Sequence, residues 1–157
     1  MILKEGGNVF KNEEGPITQR IATTDVKPTV DWINQTFGFD FIDDDMLGTT
    51  GQKQDPDGSF EKNSSGDLDL NTDTSKVSKE EIINKLVTWC KKQGIPDLEI
   101  MNKGRTFTQG WVANAGLQIH FRTPIRGNPD NGFVQTDFML TDNPKLQKGA
   151  KRGGTEN

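Results

Sequence analysis

The chain is poor in the residues that most often announce chemistry, with one cysteine and one histidine in 157. A lone cysteine, Cys90, excludes an internal disulfide, and a reducing compartment is the default. Cys90 falls on the apolar face of an expected helix and reads as a buried structural thiol, not a nucleophile. The single histidine, His120, lies between Ile119 and Phe121 on an expected strand. It reads as a hydrogen-bonded sheet histidine ahead of a ligand or base. No run approaches the ~20 apolar residues of a membrane-spanning helix, so no membrane partner is expected. Met1 to Gly7 lacks the apolar centre of a signal peptide, so a cytoplasmic location is expected. Leu, Ile, Val and Phe number 36, a share only a little above the roughly 20% associated with disorder. The core is therefore small, and 17 Gly with 7 Pro leave much of the chain to loops. A net charge of −4 and a pI near 5.0 give no strong nucleic-acid signature, while leaving room for a local basic site.

What is present organises into one domain. Residues 1–24 read as a loosely packed arm with one short strand around Ile17–Ile21. Residues 25–144 form the folded domain, and 145–157 a flexible basic tail. Pro28 is expected to open a helix. Val26, Val30, Ile33 and Phe37 line one face of it, and Gly38 ends it as a left-handed cap. Residues 54–66 read as an exposed loop. Ser78 and Glu81 form a capping box for a second helix carrying Ile82, Ile83, Leu86, Val87 and Cys90. Gly94 and Pro96 stop it. Leu98–Met101 is a strand candidate, and 102–116 is Gly-rich and ambiguous. Leu117–Thr123 and Phe133–Leu140 read as strands paired in a hairpin with a long tip. Trp32, Trp89 and Trp111 read as core or rim packing, not base-stacking platforms. The expected class is α/β of the α+β type, with a mixed, largely antiparallel sheet and helices mainly on one face.

The chemistry concentrates in Ser64-Ser65-Gly66-Asp67-Leu68-Asp69-Leu70. Strand side chains alternate, so Asp67 and Asp69 share one face while Leu68 and Leu70 enter the core. Two like charges side by side call for a cation, and carboxylates suit a hard one such as Mg²⁺ or Mn²⁺. Asp137 sits mid-strand among apolar neighbours, where a carboxylate is costly unless paired or metal-bound. Three carboxylates on two strands could hold two divalent ions about 3.5–4 Å apart and clamp an in-line phosphoryl displacement.

The order Met46-Leu47-Gly48-Thr49-Thr50-Gly51, then Gly66-Asp67-Leu68-Asp69-Leu70, then Asp137 on a later strand resembles the polymerase-beta-like nucleotidyltransferase superfamily. Val134-Gln135-Thr136-Asp137-Phe138-Met139 strengthens a closer resemblance, to small nucleotidyltransferases predicted in tailed bacteriophages. The likeness spans roughly residues 20–144. It implies a nucleotidyltransferase-like fold and transfer of a nucleoside monophosphate from a triphosphate to a hydroxyl. The acceptor could be protein, RNA or a small molecule. If the chain is a phage protein, its location is the infected host's cytoplasm. By the resemblance, Asp67, Asp69 and Asp137 hold Mg²⁺ or Mn²⁺, and Asp137 also helps deprotonate the attacking hydroxyl. Gly48, Thr49 and Thr50 cradle the nucleotide phosphates, and Lys53 adds a point charge.

Thr49 stands where the family has serine, and the loop from Gly51 to Gly66 is longer than the family spacing. Gly58-Ser59 offers a competing phosphate cradle. Both departures allow a catalytically degenerate fold acting as a phage binding or structural module. Other readings remain open at this level. Asp67 and Asp69 could be a solvated edge-strand face, and Asp137 could pair with Arg122. Asp69, Asn71 and Asp73, with Glu80 at the closing position, have the ligand spacing of a calcium loop, the mark of a calcium-binding interaction domain.

Overall fold

The computed structural model describes residues 9–101 and 110–141. The expected basic tail, 145–157, and most of the Gly-rich 102–116 lie outside the described residues. In chain order the strands are β1 (Lys11–Asn12), β2 (Gly15–Pro16), β3 (Ile21–Ala22), β4 (Ser64–Ser65), β5 (Leu68–Asp73), β6 (Val112–Ala115), β7 (Gln118–Pro124) and β8 (Phe133–Thr141). The α-helices among the described residues are α1 (Thr23–Phe37), α2 (Lys79–Lys92) and α3 (Asp97–Ile100). The fold is mixed α+β with mostly antiparallel pairing, as expected. No helix among the described residues is long and apolar enough to cross a membrane.

The central sheet has the spatial order β5-β8-β7-β6. After β5 the chain leaves through α2 and α3 to the far edge. It then returns strand by strand, β6 against β7 and β7 against β8, all antiparallel. The last strand closes on the first: β8 lies parallel to β5, with Asp137 opposite Asp69. Alternation divides the sheet. Leu68, Leu70, Ile119, Phe121, Val134 and Phe138 are buried in the main apolar cluster. Asp69, Asn71, His120, Gln135 and Asp137 line the other face.

α1 supplies Val26, Val30, Ile33 and Phe37 to that cluster, and Gly38 caps it at φ 77°. It begins at Thr23, so Pro28 lies inside the helix instead of opening it. The lost N–H there costs one helical bond, and burial of the apolar stripe on both sides of Pro28 overrides it. Thr29, buried next to it, donates its hydroxyl to the Asp25 carbonyl at 2.7 Å and accepts the Arg126 N–H at 2.9 Å. That second bond ties α1 to the tip of the β7–β8 hairpin. In α2, Ser78 Oγ accepts the Glu81 N–H at 3.1 Å, and Ile82, Leu86 and Cys90 are fully buried. Burial pushes the Cys90 thiol up to about 12, which suits an inert structural group.

Two further expectations fail. Leu98–Met101 is not a strand, because Pro96 starts a single helical turn with Asp97 and Glu99 in it. Leu98 points into solvent and only Ile100 is buried. The N-terminal segment is not loosely packed from Val9 onward. Phe10 is 0% exposed, β1 and β2 form a small hairpin, and Gln19 N–H donates to the Phe133 carbonyl at 2.8 Å. The short strand lies at Ile21–Ala22, paired with Ser64–Ser65. The expected domain start at residue 25 falls within the first turn of α1. Trp32, Trp89 and Trp111 join Phe37, Phe121 and Phe133 in a chain of ring contacts, as packing residues.

Candidate metal centre

β5, the bend just before it and β8 bring the three acids together. Asp69 and Asp137 face each other on the paired strands, while Asp67 lies in the bend ahead of Leu68 and not on the strand where alternation puts it. One carboxylate oxygen from each of Asp67, Asp69 and Asp137 lies within 4.8 Å of the other two. Asp67 and Asp69 are half-buried and Asp137 is buried. Asp67 is crowded. Burial pushes its carboxyl up to about 6, helped by the Asp137 charge and a hydrogen bond with Asp137. His120 and Arg20 pull the other way. Arg20 is held by Ser64, with Nε donating to Oγ at 3.0 Å.

Asp137 is fixed by its neighbours. Its Oδ1 lies 2.6 Å from His120 Nδ1 and 2.9 Å from Gln135 Nε2. His120 is thus a hydrogen-bonded sheet histidine, as expected, but its partner is the third acid of the cluster. The expected alternative, Asp137 paired with Arg122, is overturned. Arg122 faces Gln135 in the ladder, and its guanidinium packs 4.3 Å from the Trp111 ring centre and 4.4 Å from that of Phe133.

The Gly48–Gly51 segment is a tight 3₁₀ turn beside the acids. Leu47 N–H donates to the Asp69 carbonyl at 2.9 Å. Thr50 Oγ1 accepts the Asp69 N–H at 2.9 Å and donates to the Asp67 carbonyl at 3.3 Å. Ser65 Oγ also donates to that carbonyl, at 2.8 Å, and lies 2.7 Å from Thr49 Oγ1. Thr50 therefore fastens the turn to the acid strand directly, and Thr49 fastens it to Ser65 of β4. Gly48 has φ 59°, and a Cβ built there would meet nothing within 4 Å. Lys53 is not in the acid cluster. It is exposed on the wall of a cleft of about 550 Å³ lined also by Lys27, Asp43, Asp44, Met46, Thr50 and Phe60. Gly58 and Ser59 sit apart in an exposed turn closed on itself. There Asp55 N–H donates to the Ser59 carbonyl, and Ser59 Oγ to Asp57 Oδ1.

The calcium-loop spacing does not form a loop. Asp69, Asn71 and Asp73 lie on one straight strand paired along its length with β8, and Asp73 Oδ1 accepts from Ser75 instead. Such a strand cannot wrap an ion as that motif does.

The donor set fits a hard divalent cation: three carboxylates with mutually repelling charge. A fourth hard-oxygen group shares the face. Asn71, next after Asp69 by alternation, is 3% exposed, and neither of its amide atoms has a hydrogen-bond partner. Sequence reasoning did not find the roles of His120, Gln135, Arg20 or Asn71. A signal for His120 was available in the hairpin: pairing Pro124 with Phe133 puts His120 opposite Asp137. No family model matches this chain, and no curated protein or solved structure matches it.

Proposed function

We propose that the chain is a metal-dependent nucleotidyltransferase of the polymerase-beta-like kind. It moves a nucleoside monophosphate from a triphosphate to an acceptor hydroxyl, in the cytoplasm. The observation that carries this reading is the convergence of Asp69 on β5, Asp67 in the bend just before it, and Asp137 on the neighbouring β8. Asp67, Asp69 and Asp137 would hold Mg²⁺ or Mn²⁺. When bound, the ions supply charge stabilisation to the phosphoryl oxygens and lower the cost of an alkoxide nucleophile. In the transfer, the acceptor oxygen bonds to the α-phosphorus, the bond to the bridging oxygen breaks, and pyrophosphate leaves. Asp137 helps to deprotonate the acceptor hydroxyl, and the proton passes on to water. The open space over Gly48 receives phosphate, and Lys53, exposed on the cleft wall that Thr50 shares, attracts it, whereas Lys27 in that cleft is paired with Asp43 at 2.8 Å.

The test is incubation with α-labelled triphosphates, Mg²⁺ or Mn²⁺ and host lysate. Label should pass to an acceptor, and Asp69→Asn and Asp137→Asn should each abolish it. A second reading follows from the Thr49 and Thr50 hydroxyls, both engaged in holding the turn. In that reading the fold binds a triphosphate without turnover. Nucleotide and Mg²⁺ would raise the melting temperature by mass action, and no label would move. Absence of any thermal shift with every triphosphate would discard both readings.

A further inference from the structure

Asp137 reaches the acid cluster with one oxygen already occupied. Its Oδ1 has His120 Nδ1 at 2.6 Å and Gln135 Nε2 at 2.9 Å. A carboxylate only accepts, so both nitrogens donate to it. Gln135 is held in that orientation, because its Oε1 accepts the Val9 N–H at 2.7 Å. His120, Gln135 and Asp137 are all more than nine-tenths buried, so water is a poor substitute for either donor. The oxygen left for an ion is Oδ2.

We propose that His120 and Gln135 are positioning residues that make Asp137 a one-oxygen ligand. They thereby set the cluster to prefer a small six-coordinate cation, Mg²⁺ or Mn²⁺, over Ca²⁺. The inference rests on the reading above in taking the three acids as metal ligands. Ca²⁺ takes about six to eight oxygens and often gains them from bidentate carboxylates. Mg²⁺ takes one or two carboxylates and completes its octahedron with water and phosphate. A carboxylate with one oxygen saturated serves the second pattern and not the first. Asn71 follows Asp69 on the same face by alternation and also lines a cleft with Asp40, Asp45 and Asp73. It is buried two residues beyond Asp69, with its amide oxygen and nitrogen both unpartnered.

The experiment is competition of Mg²⁺ and of Ca²⁺ against Mn²⁺ on the full chain, with free Mn²⁺ followed by electron paramagnetic resonance. Gln135→Met and His120→Leu each remove one donor and keep bulk, while His120→Asn supplies an amide N–H near the place of Nδ1. The parent should bind Mg²⁺ and Mn²⁺ more tightly than Ca²⁺. Gln135→Met and His120→Leu should move the ratio of affinities toward Ca²⁺ by roughly tenfold, the scale of other second-layer effects on metals. His120→Asn should restore it. A merely structural role would weaken all ions together and leave the ratio alone. An unchanged ratio in both folded variants overturns the proposal, as does a parent that binds no divalent ion. A shifted ratio without any label transfer would defeat the enzymatic reading alone.

Discussion

Asp67 is the acid whose charge the fold accommodates least well. Its carboxyl is raised from 3.8 to about 6, first by burial and then by Asp137. With the folded value above the unfolded one, the carboxyl's stabilising contribution is complete below the unfolded pKa. It is lost as pH rises through about 6. Metal-free Asp67→Asn should therefore melt higher than the parent near about pH 8, and the two should converge near about pH 4. A divalent ion competes with the same proton, so Mn²⁺ binding by the parent should strengthen as pH climbs from about 5 to about 7. Melts with chelator and Mn²⁺ titrations across that range check both. A gap between parent and variant that is the same at both pH extremes would remove this carboxylate from the account.

At the scale of elements, the turn Gly48–Gly51 decides whether the acid strand has a fixed shape. A Cβ on Gly51 would fall within hard contact of the Met46 carbonyl, so that glycine is needed for close backbone approach. Thr50 then reaches both Asp67 and Asp69 with one hydroxyl. Thr50→Val keeps the shape and leaves the Asp69 N–H without its acceptor, a loss of about 1–3 kcal/mol. Thr50→Ser should stay near the parent. Denaturant titration should show that order, and an equal loss in the serine variant would mean that the methyl group matters instead. The turn and β5 were legible in the sequence, since glycine pairs, alternation and carboxylate spacing are local signals. So was the β7–β8 hairpin, with its two apolar alternating runs. Pro28 misled, because tertiary burial of Val26 and Val30 extends α1 across it. Leu98–Met101 misled too, because four residues carry too little periodicity to separate a strand from a helical turn. The bond from His120 to Asp137 depends on the register between β7 and β8, which the hairpin fixes only once its turn is placed. The bond from Gln135, two residues before Asp137 on β8, depends on side-chain direction, which alternation alone does not encode.

At the scale of the whole molecule, the chain encloses its acid face from two directions. The crossover through α2 and α3 lets β8 return beside β5 and deliver Asp137 to Asp69. From the other end, Val9 bonds Gln135, and Phe10 beside it is fully buried outside the main apolar cluster. From Val9 onward this segment is thus a strap held by the Phe10 ring and by the Val9 and Gln19 backbone bonds. Phe10→Ala should cost about 3–5 kcal/mol, a large part of the roughly 5–15 kcal/mol that holds a domain together. In a chain of this size that lowers the melting temperature by on the order of 10 °C. Leu86→Ala, in the helix layer, should lower it by a comparable amount, about 2–5 kcal/mol. The two variants should differ in metal binding at a temperature well below both midpoints. Leu86→Ala leaves Val9, Gln135 and Asp137 in place and should bind Mn²⁺ like the parent. Phe10→Ala releases Val9, frees Gln135 to turn its amide, and should weaken Mn²⁺ binding or shift its selectivity toward Ca²⁺. Parent-like binding of both ions by a destabilised Phe10→Ala would reduce the strap to a stabilising element with no hold on the site.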